Sequence, residues 1–126
     1  MISILGLRES GWFDKKIENK LWNQTAAAYN VKDWLLLTNR QDLIKELENR
    51  NGERILLNAF KGEPLSSFVH PKDAIYVFGN AKEGLLNAET KWDYIININS
   101  IKPVDMFAHV SLAAVLYDRE VKRNVY

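Results

Sequence analysis

Five short apolar runs alternate with segments whose apolar residues recur at helical spacing, and this alternation constrains the fold more than any other feature. Residues 2–7 form the first run, closed by Arg8-Glu9-Ser10-Gly11, and read as a buried strand followed by a loop. Residues 33–38, Asp33-Trp34-Leu35-Leu36-Leu37-Thr38, are continuous enough for a central parallel strand. Residues 54–60, 74–78 and 94–98 complete the set. After the first run, Asp14 is placed to cap a helix whose Ile17, Leu21, Trp22, Thr25, Ala28 and Tyr29 share one face. Asn30 suits the left-handed residue that ends such a helix. Asn39 caps a second helix, with Leu43, Ile44 and Leu47 inward and Asn51-Gly52 as its stop. Residues 61–72 hold Gly62, Pro64, Pro71 and Ser66-Ser67 and read as a loop with at most one helical turn. The alternation predicts an α/β fold, a mostly parallel sheet with helices on both faces, in one domain over residues 1–126.

Composition narrows the chemistry. A chain with no cysteine has no disulfide framework, no thiolate metal site and no cysteine nucleophile. Its two histidines, His70 and His109, have no clustered carboxylate partner in sequence, so no metal site is expected. The formal net charge of +1 leaves room for a local basic face and demands none. The start Met1-Ile2-Ser3-Ile4-Leu5-Gly6 lacks the basic beginning and long apolar core of a signal peptide. No apolar run approaches the roughly 18 residues of a membrane span. A soluble, cytoplasmic protein without membrane contact is the expectation.

The stretch 73–123 carries the loops that look built for a ligand. Strand 74–78 leads into Gly79-Asn80-Ala81-Lys82-Glu83-Gly84-Leu85, and strand 94–98 leads into Asn99-Ser100-Ile101-Lys102-Pro103-Val104. In open α/β sheets, ligands bind outside the carboxyl ends of the strands, so these two loops are the expected site. Gly79 and Gly84 either let main chain approach a ligand closely or simply shape a tight turn. A helix over residues 105–123 follows, and Met106, Phe107, Ala108, Val110, Leu112, Ala113, Ala114, Val115, Leu116 and Tyr117 leave it almost no polar face. Such a helix must be covered on all sides, either by other helices of its own chain or by a second copy in a two-fold dimer.

Three segments, in order, resemble the SPOUT superfamily of S-adenosylmethionine-dependent RNA methyltransferases, in particular the branch that methylates ribose 2′-hydroxyls. Gln24-Thr25-Ala26-Ala27-Ala28-Tyr29-Asn30-Val31 before a strand is similar to the family's Arg-Thr-Ala-x-x-Phe-Gly-Val. Ile75-Tyr76-Val77-Phe78-Gly79-Asn80-Ala81-Lys82-Glu83-Gly84-Leu85 is similar to its strand plus Phe-Gly-x-Glu-x-x-Gly-Leu. Residues 94–98 with 104–118 resemble the last strand, loop and helix. The resemblance implies a C-terminal trefoil knot, a homodimer through the final helix, and RNA as substrate. It implies an S-adenosylmethionine site formed by Phe78, Gly79, Glu83, Gly84, Leu85, Ile98, Ile101 and Met106.

The departures fall on the catalytic side. The family's arginine is Gln24, its glutamate falls on Ala81 with Glu83 two residues on, and its asparagine in the final helix becomes Phe107. Glutamine cannot supply arginine's charge or bidentate grip on phosphate. The candidate catalytic residues are Gln24, His109 and Asp105: His109 as general base or as a packed helix residue, Asp105 as the second option. His70 before Pro71 reads as a loop residue. Arg8, Lys15, Lys16, Lys20, Arg40, Lys82 and Lys102 either contact RNA, with Trp12 and Phe13 stacking on bases, or form a solvated surface. Two functions follow: a minimal RNA methyltransferase, or a catalytically degenerate fold that binds cofactor, RNA or a protein. A flavodoxin-like or receiver domain is a third reading, weakened because Leu7-Arg8-Glu9-Ser10 offers one carboxylate where a receiver needs a cluster.

Overall fold

The apolar runs assemble, in the computed structural model, into a six-stranded sheet in which every pairing is parallel. The structure describes residues 1–9, 14–80, 84–88, 90–98 and 108–124. In chain order the elements are β1 (Ile2–Leu7), α1 (Lys15–Ala28), β2 (Asp33–Leu37), α2 (Arg40–Glu48), β3 (Glu53–Leu57) and β4 (Glu63–Pro64). A 3-10 turn at Leu65–Ser67, β5 (Ala74–Phe78), β6 (Tyr94–Asn97) and α3 (Ala108–Asn124) follow. The strands lie in the order β2-β1-β5-β3-β6-β4, so β5 enters between two earlier strands and β6 does the same. The passage from β6 to α3 that a knot would need falls on residues outside those described.

Strand alternation sorts the core into two layers. Ile4, Ile55, Tyr76, Phe78 and Ile96 face α1 and α3, where they meet Trp22, Ala26, Leu112, Val115 and Leu116. Leu5, Leu7, Leu56, Ile75 and Val77 face α2 and meet Leu43 and Leu47. Trp22 rests edge-on against Phe78, ring centroids 5.7 Å apart, and a Cβ on Gly6 would come within 2.6 Å of the indole. Gly6 is therefore fixed by packing. Full burial of such an aromatic stabilises by about 2–3 kcal/mol, and the edge-to-face contact adds about 1 kcal/mol.

The caps follow their local chemistry. Asp14 accepts from the Lys16 amide, Asn39 accepts from the Asp42 amide, and Asn30 closes α1 with φ of 57°. Three expectations are corrected. Residues 33–38 form an edge strand, not a central one, and Leu35 is exposed, because β5 takes the inner position beside β1. The third strand ends at Leu57, where the Asn58 side chain accepts from the amides of Phe60 and Lys61 and turns the chain. On α1 the buried positions are Glu18, Trp22 and Ala26, while Ile17 and Ala28 are exposed. Glu18 is buried because it accepts from the Glu9 amide at 2.8 Å and pairs with Arg8.

Within α3, Ala108, Leu112, Val115, Leu116 and Arg119 turn inward, whereas Val110, Tyr117 and Val121 stay exposed. One apolar side of this helix is thus left uncovered by its own chain. No helix among the described residues is long and apolar enough to cross a membrane.

Candidate functional site

β5 and β6 flank β3, with Phe78 and Ile96 both in register with Leu57. The carboxyl ends of β5 and β6 therefore lie at the same end of the sheet about 10 Å apart, two strand spacings. Gly79 and Asn80 continue β5, and the Asn80 amide donates to the Arg8 carbonyl at 2.8 Å, joining this loop to the end of β1. The Gly84 carbonyl accepts from Arg40 Nη2 at 2.9 Å. Leu85 drops into the layer against α2, and its carbonyl receives the Trp92 indole N–H at 3.2 Å and the Ala88 amide at 3.0 Å. Two hydrogen bonds to Leu85 and one to Gly84 thus fix the backbone on the far side of the loop.

Gly84 is the open point of this arrangement. A Cβ there would meet nothing within 4 Å, and its φ lies outside the left-handed region. The residue is exposed, so a side chain at this position would project into the space above the sheet. Conformational freedom therefore does not explain a glycine here.

The remaining sequence candidates distribute as follows. Phe78 and Leu85 are buried and their side chains serve the two core layers, so they offer main chain only. Ile98 is half-buried against the α1–α3 layer. Glu83, Ile101, Met106 and Asp105 lie outside the described residues, as do Ala81, Lys82, Lys102, Phe107, Trp12 and Phe13. His109 is half-buried in the first turn of α3. Gln24 is exposed midway along α1 on the side turned from the sheet, so one chain does not bring it to the Gly84 loop. Of the residues read as RNA contacts, Arg8 instead pairs with buried Glu18 and Arg40 holds Gly84; Lys15, Lys16 and Lys20 are exposed. The tether from Arg40 had no sequence signal, because its partner is a carbonyl 44 positions away.

His70 does lie in a loop, between the 3-10 turn and β5, but it is not a free loop side chain. Its ring is buried, with Nδ1 2.6 Å from the Tyr76 hydroxyl and Nε2 2.7 Å from Asp118. Arg119 donates to the Tyr76 oxygen at 3.0 Å and to the carbonyls of Pro71 and Lys72. Lys122 reaches Asp118 at 2.8 Å and the carbonyls of Leu65 and Phe68. Donor accounting assigns the tautomer: Asp118 accepts from Nε2–H, so Nδ1 accepts from the Tyr76 hydroxyl, which accepts from Arg119. Burial holds the His70 pKa below its ordinary value, and the Asp118 carboxylate opposes that shift only in part. Burial also pushes the Tyr76 phenol up. This network sits at the amino end of β5, away from the Gly84 loop, and has the geometry of a fastener for residues 65–72.

No protein-family model matches the chain, and no curated protein matches it in sequence. Solved structures match it in three dimensions. The SpoU methyltransferase AviRb from Streptomyces viridochromogenes, crystallised with the cofactor AdoMet, superposes with a TM-score of 0.71 at 15% identity over 96% of this chain and 60% of its own. An RNA 2′-O ribose methyltransferase gives 0.73 at 13% identity, over 97% of this chain and 57% of its own. The A. aeolicus TrmH/SpoU tRNA modifying enzyme gives 0.68 at 13% identity, over 97% of this chain and 75% of its own. The chain spans about three-fifths of the length of the first two. Its fold is that of the SpoU/TrmH RNA methyltransferases, the SPOUT fold that its three sequence segments resemble.

Proposed function

We propose that this chain is an S-adenosylmethionine-dependent RNA methyltransferase that acts on a ribose 2′-hydroxyl as a homodimer. The observation that carries the reading is the exposed, unobstructed main chain at Gly84, pinned by Arg40 and Leu85, at the carboxyl ends of β5 and β6. The residues present fit the cofactor: an exposed glycine backbone that another molecule can approach, with half-buried Ile98 just after β6, suits an adenosine, which needs an apolar slot with a few main-chain hydrogen bonds. Glu83, Ile101 and Met106 would complete the slot. When bound, S-adenosylmethionine supplies a methyl group on a sulfonium, ready for in-line transfer.

The chain's own task is positioning, and removal of one proton from the attacking hydroxyl. His109 at the start of α3 is the proposed base, with Asp105 as the second candidate. Gln24 would face the substrate across a dimer rather than within one chain. The exposed apolar residues support that assembly: Ile17 on α1 and Val110, Tyr117 and Val121 on α3 belong to the one helix layer on which Gln24 is also exposed. A second reading, a degenerate module that binds without catalysis, is favoured by one observation. Gln24 supplies no charge where the family has arginine.

Calorimetric titration with S-adenosylmethionine and S-adenosylhomocysteine, followed by transfer of labelled methyl to RNA, separates these readings. Micromolar binding of both with label in RNA is the expected result. Binding without transfer to any RNA establishes the module instead, and absence of binding to either ligand overturns the cofactor site.

A further inference from the structure

A second recess lies away from the Gly84 loop, between α1 and edge strand β2. It encloses about 330 Å³ and is lined by Asn23, Ala27, Asn30, Val31, Lys32 and Trp34. The construction is local. Asn30, with φ of 57°, turns the chain sharply at the end of α1, and buried Val31 then anchors the floor. Trp34 follows on the face of β2 that packs toward α1, half-buried, so its ring is held against the core yet open to the recess. Asn23, Asn30 and Lys32 are exposed on the rim. Because β2 pairs only with β1, nothing in the sheet closes the outer side.

The one charged residue that lines the recess, Lys32, is a cation. Lys16 and Lys20 lie on the same flank of α1 as Asn23 and Ala27, at spacings of four, three and four residues, and all four are exposed. The carboxylates that could neutralise this flank are directed elsewhere. Glu18 is buried against Arg8 and the Glu9 amide, and Asp33 is held by Arg50 at 2.8 Å and by Ser3 at 2.6 Å. A track of cations thus leads down α1 to an aromatic face framed by two carboxamides. Carboxamides pair with base edges, lysines meet phosphates, and an aromatic ring stacks on any base. The volume suits a single nucleoside.

We propose that this recess binds single-stranded RNA, one base stacking on Trp34 with its edge toward Asn23 and Asn30, and the backbone running along Lys32, Lys20 and Lys16. The choice of RNA rests on the methyltransferase reading, but the recess needs neither cofactor nor catalysis. It lies on the flank of α1 toward β2, whereas α3 packs against the same helix.

The test is fluorescence anisotropy of a labelled octamer of single-stranded RNA, titrated with the full chain at several salt concentrations, beside calorimetry with S-adenosylmethionine on the same preparations. Trp34→Ala should weaken RNA about tenfold, in line with the value of one stacked base. Because Trp34 also touches the core, two rim variants guard against a folding artefact. Lys32→Glu and Asn23→Asp should each weaken RNA several-fold, with Lys32→Glu also flattening the salt dependence, and leave the affinity for S-adenosylmethionine unchanged. No RNA binding by the wild type, or equal RNA affinity in both rim variants, overturns the proposal. Loss of RNA in the rim variants when the wild type binds no S-adenosylmethionine keeps the recess and removes the methyltransferase reading.

Discussion

The network around His70 and the loops above the sheet at Asn80 and Gly84 both fasten segments far apart in sequence, by different means. Around His70, five side chains from β5, α3 and the preceding segment bond one another and four main-chain carbonyls without exposing the ring. Above the sheet, single hydrogen bonds to the carbonyls of Arg8 and Gly84 do the work, and the space beside Gly84 stays open. By residue type, histidine, aspartate, tyrosine and arginine together would be taken for the reactive centre. Geometry reverses that impression, since the Tyr76 hydroxyl is sealed in the core and its donors and acceptors are matched. The bonded polar groups fasten the fold, whereas the open main chain at Gly84 is the proposed point of binding.

The comparison breaks first at Arg119. Its guanidinium makes three hydrogen bonds, to Pro71, Lys72 and Tyr76, each worth about 1.5–3 kcal/mol because the donor is charged. Against this, its buried Nε has no partner among the described residues, a cost that leaves with the side chain. Arg119→Met should therefore destabilise by about 3 kcal/mol, lowering Tm by roughly 10 °C. Affinity for S-adenosylmethionine, measured well below that Tm, should be unchanged. A stable variant that had lost cofactor would make the network part of the site.

Gly84→Val is the converse. The added Cβ meets nothing within 4 Å and the backbone lies outside the left-handed region, so Tm should move by no more than about 2 °C. Affinity for S-adenosylmethionine should fall about 100-fold, or about 2.7 kcal/mol, because the methyl groups occupy the approach to the main chain. Calorimetry on the folded variant decides it. Normal affinity removes Gly84 from the site.

What the sequence disclosed follows how local each cause is. Asp14, Asn30 and Asn39 act on the next few residues, and all three caps form where they were read. The likeness of three segments to one family pointed to the fold that solved structures share. Strand order is not local: the apolar run 33–38 suits a buried centre, yet β5 arrives later in the chain and takes the place beside β1. Glu18 on the buried face of α1 depends on an amide nine residues away, and His70 on partners 6 and 48 positions distant. The recess at Trp34 went unread because it needs a helix flank, a left-handed turn and an unpartnered strand edge at once. Asp105, Glu83, Ile101 and Met106 lie outside the described residues, so their part in the site remains with the proposal.

The smallest effect sharpens the comparison through pH. His70 is held neutral because its ring is desolvated, and because protonating Nδ1 would leave the Tyr76 hydroxyl proton without its acceptor. The groups facing it are Asp118, Arg119 and Lys122 from α3 and Tyr76 from β5; the carboxylate favours the charged ring and the two cations oppose it. With the folded pKa below the unfolded 6.5, the unfolded chain binds the extra proton, so stability is complete above about 6.5 and declines as pH falls from there toward the folded value. His70→Gln removes this titration. Chemical denaturation from pH 8 to 5 should show the wild type losing ground to the variant in the acidic half, with a gap that stops widening once His70 is protonated in both states. Parallel stability curves for the two proteins would mean that the ring titrates alike in folded and unfolded chains, and the saturated network would then impose no restraint on its proton.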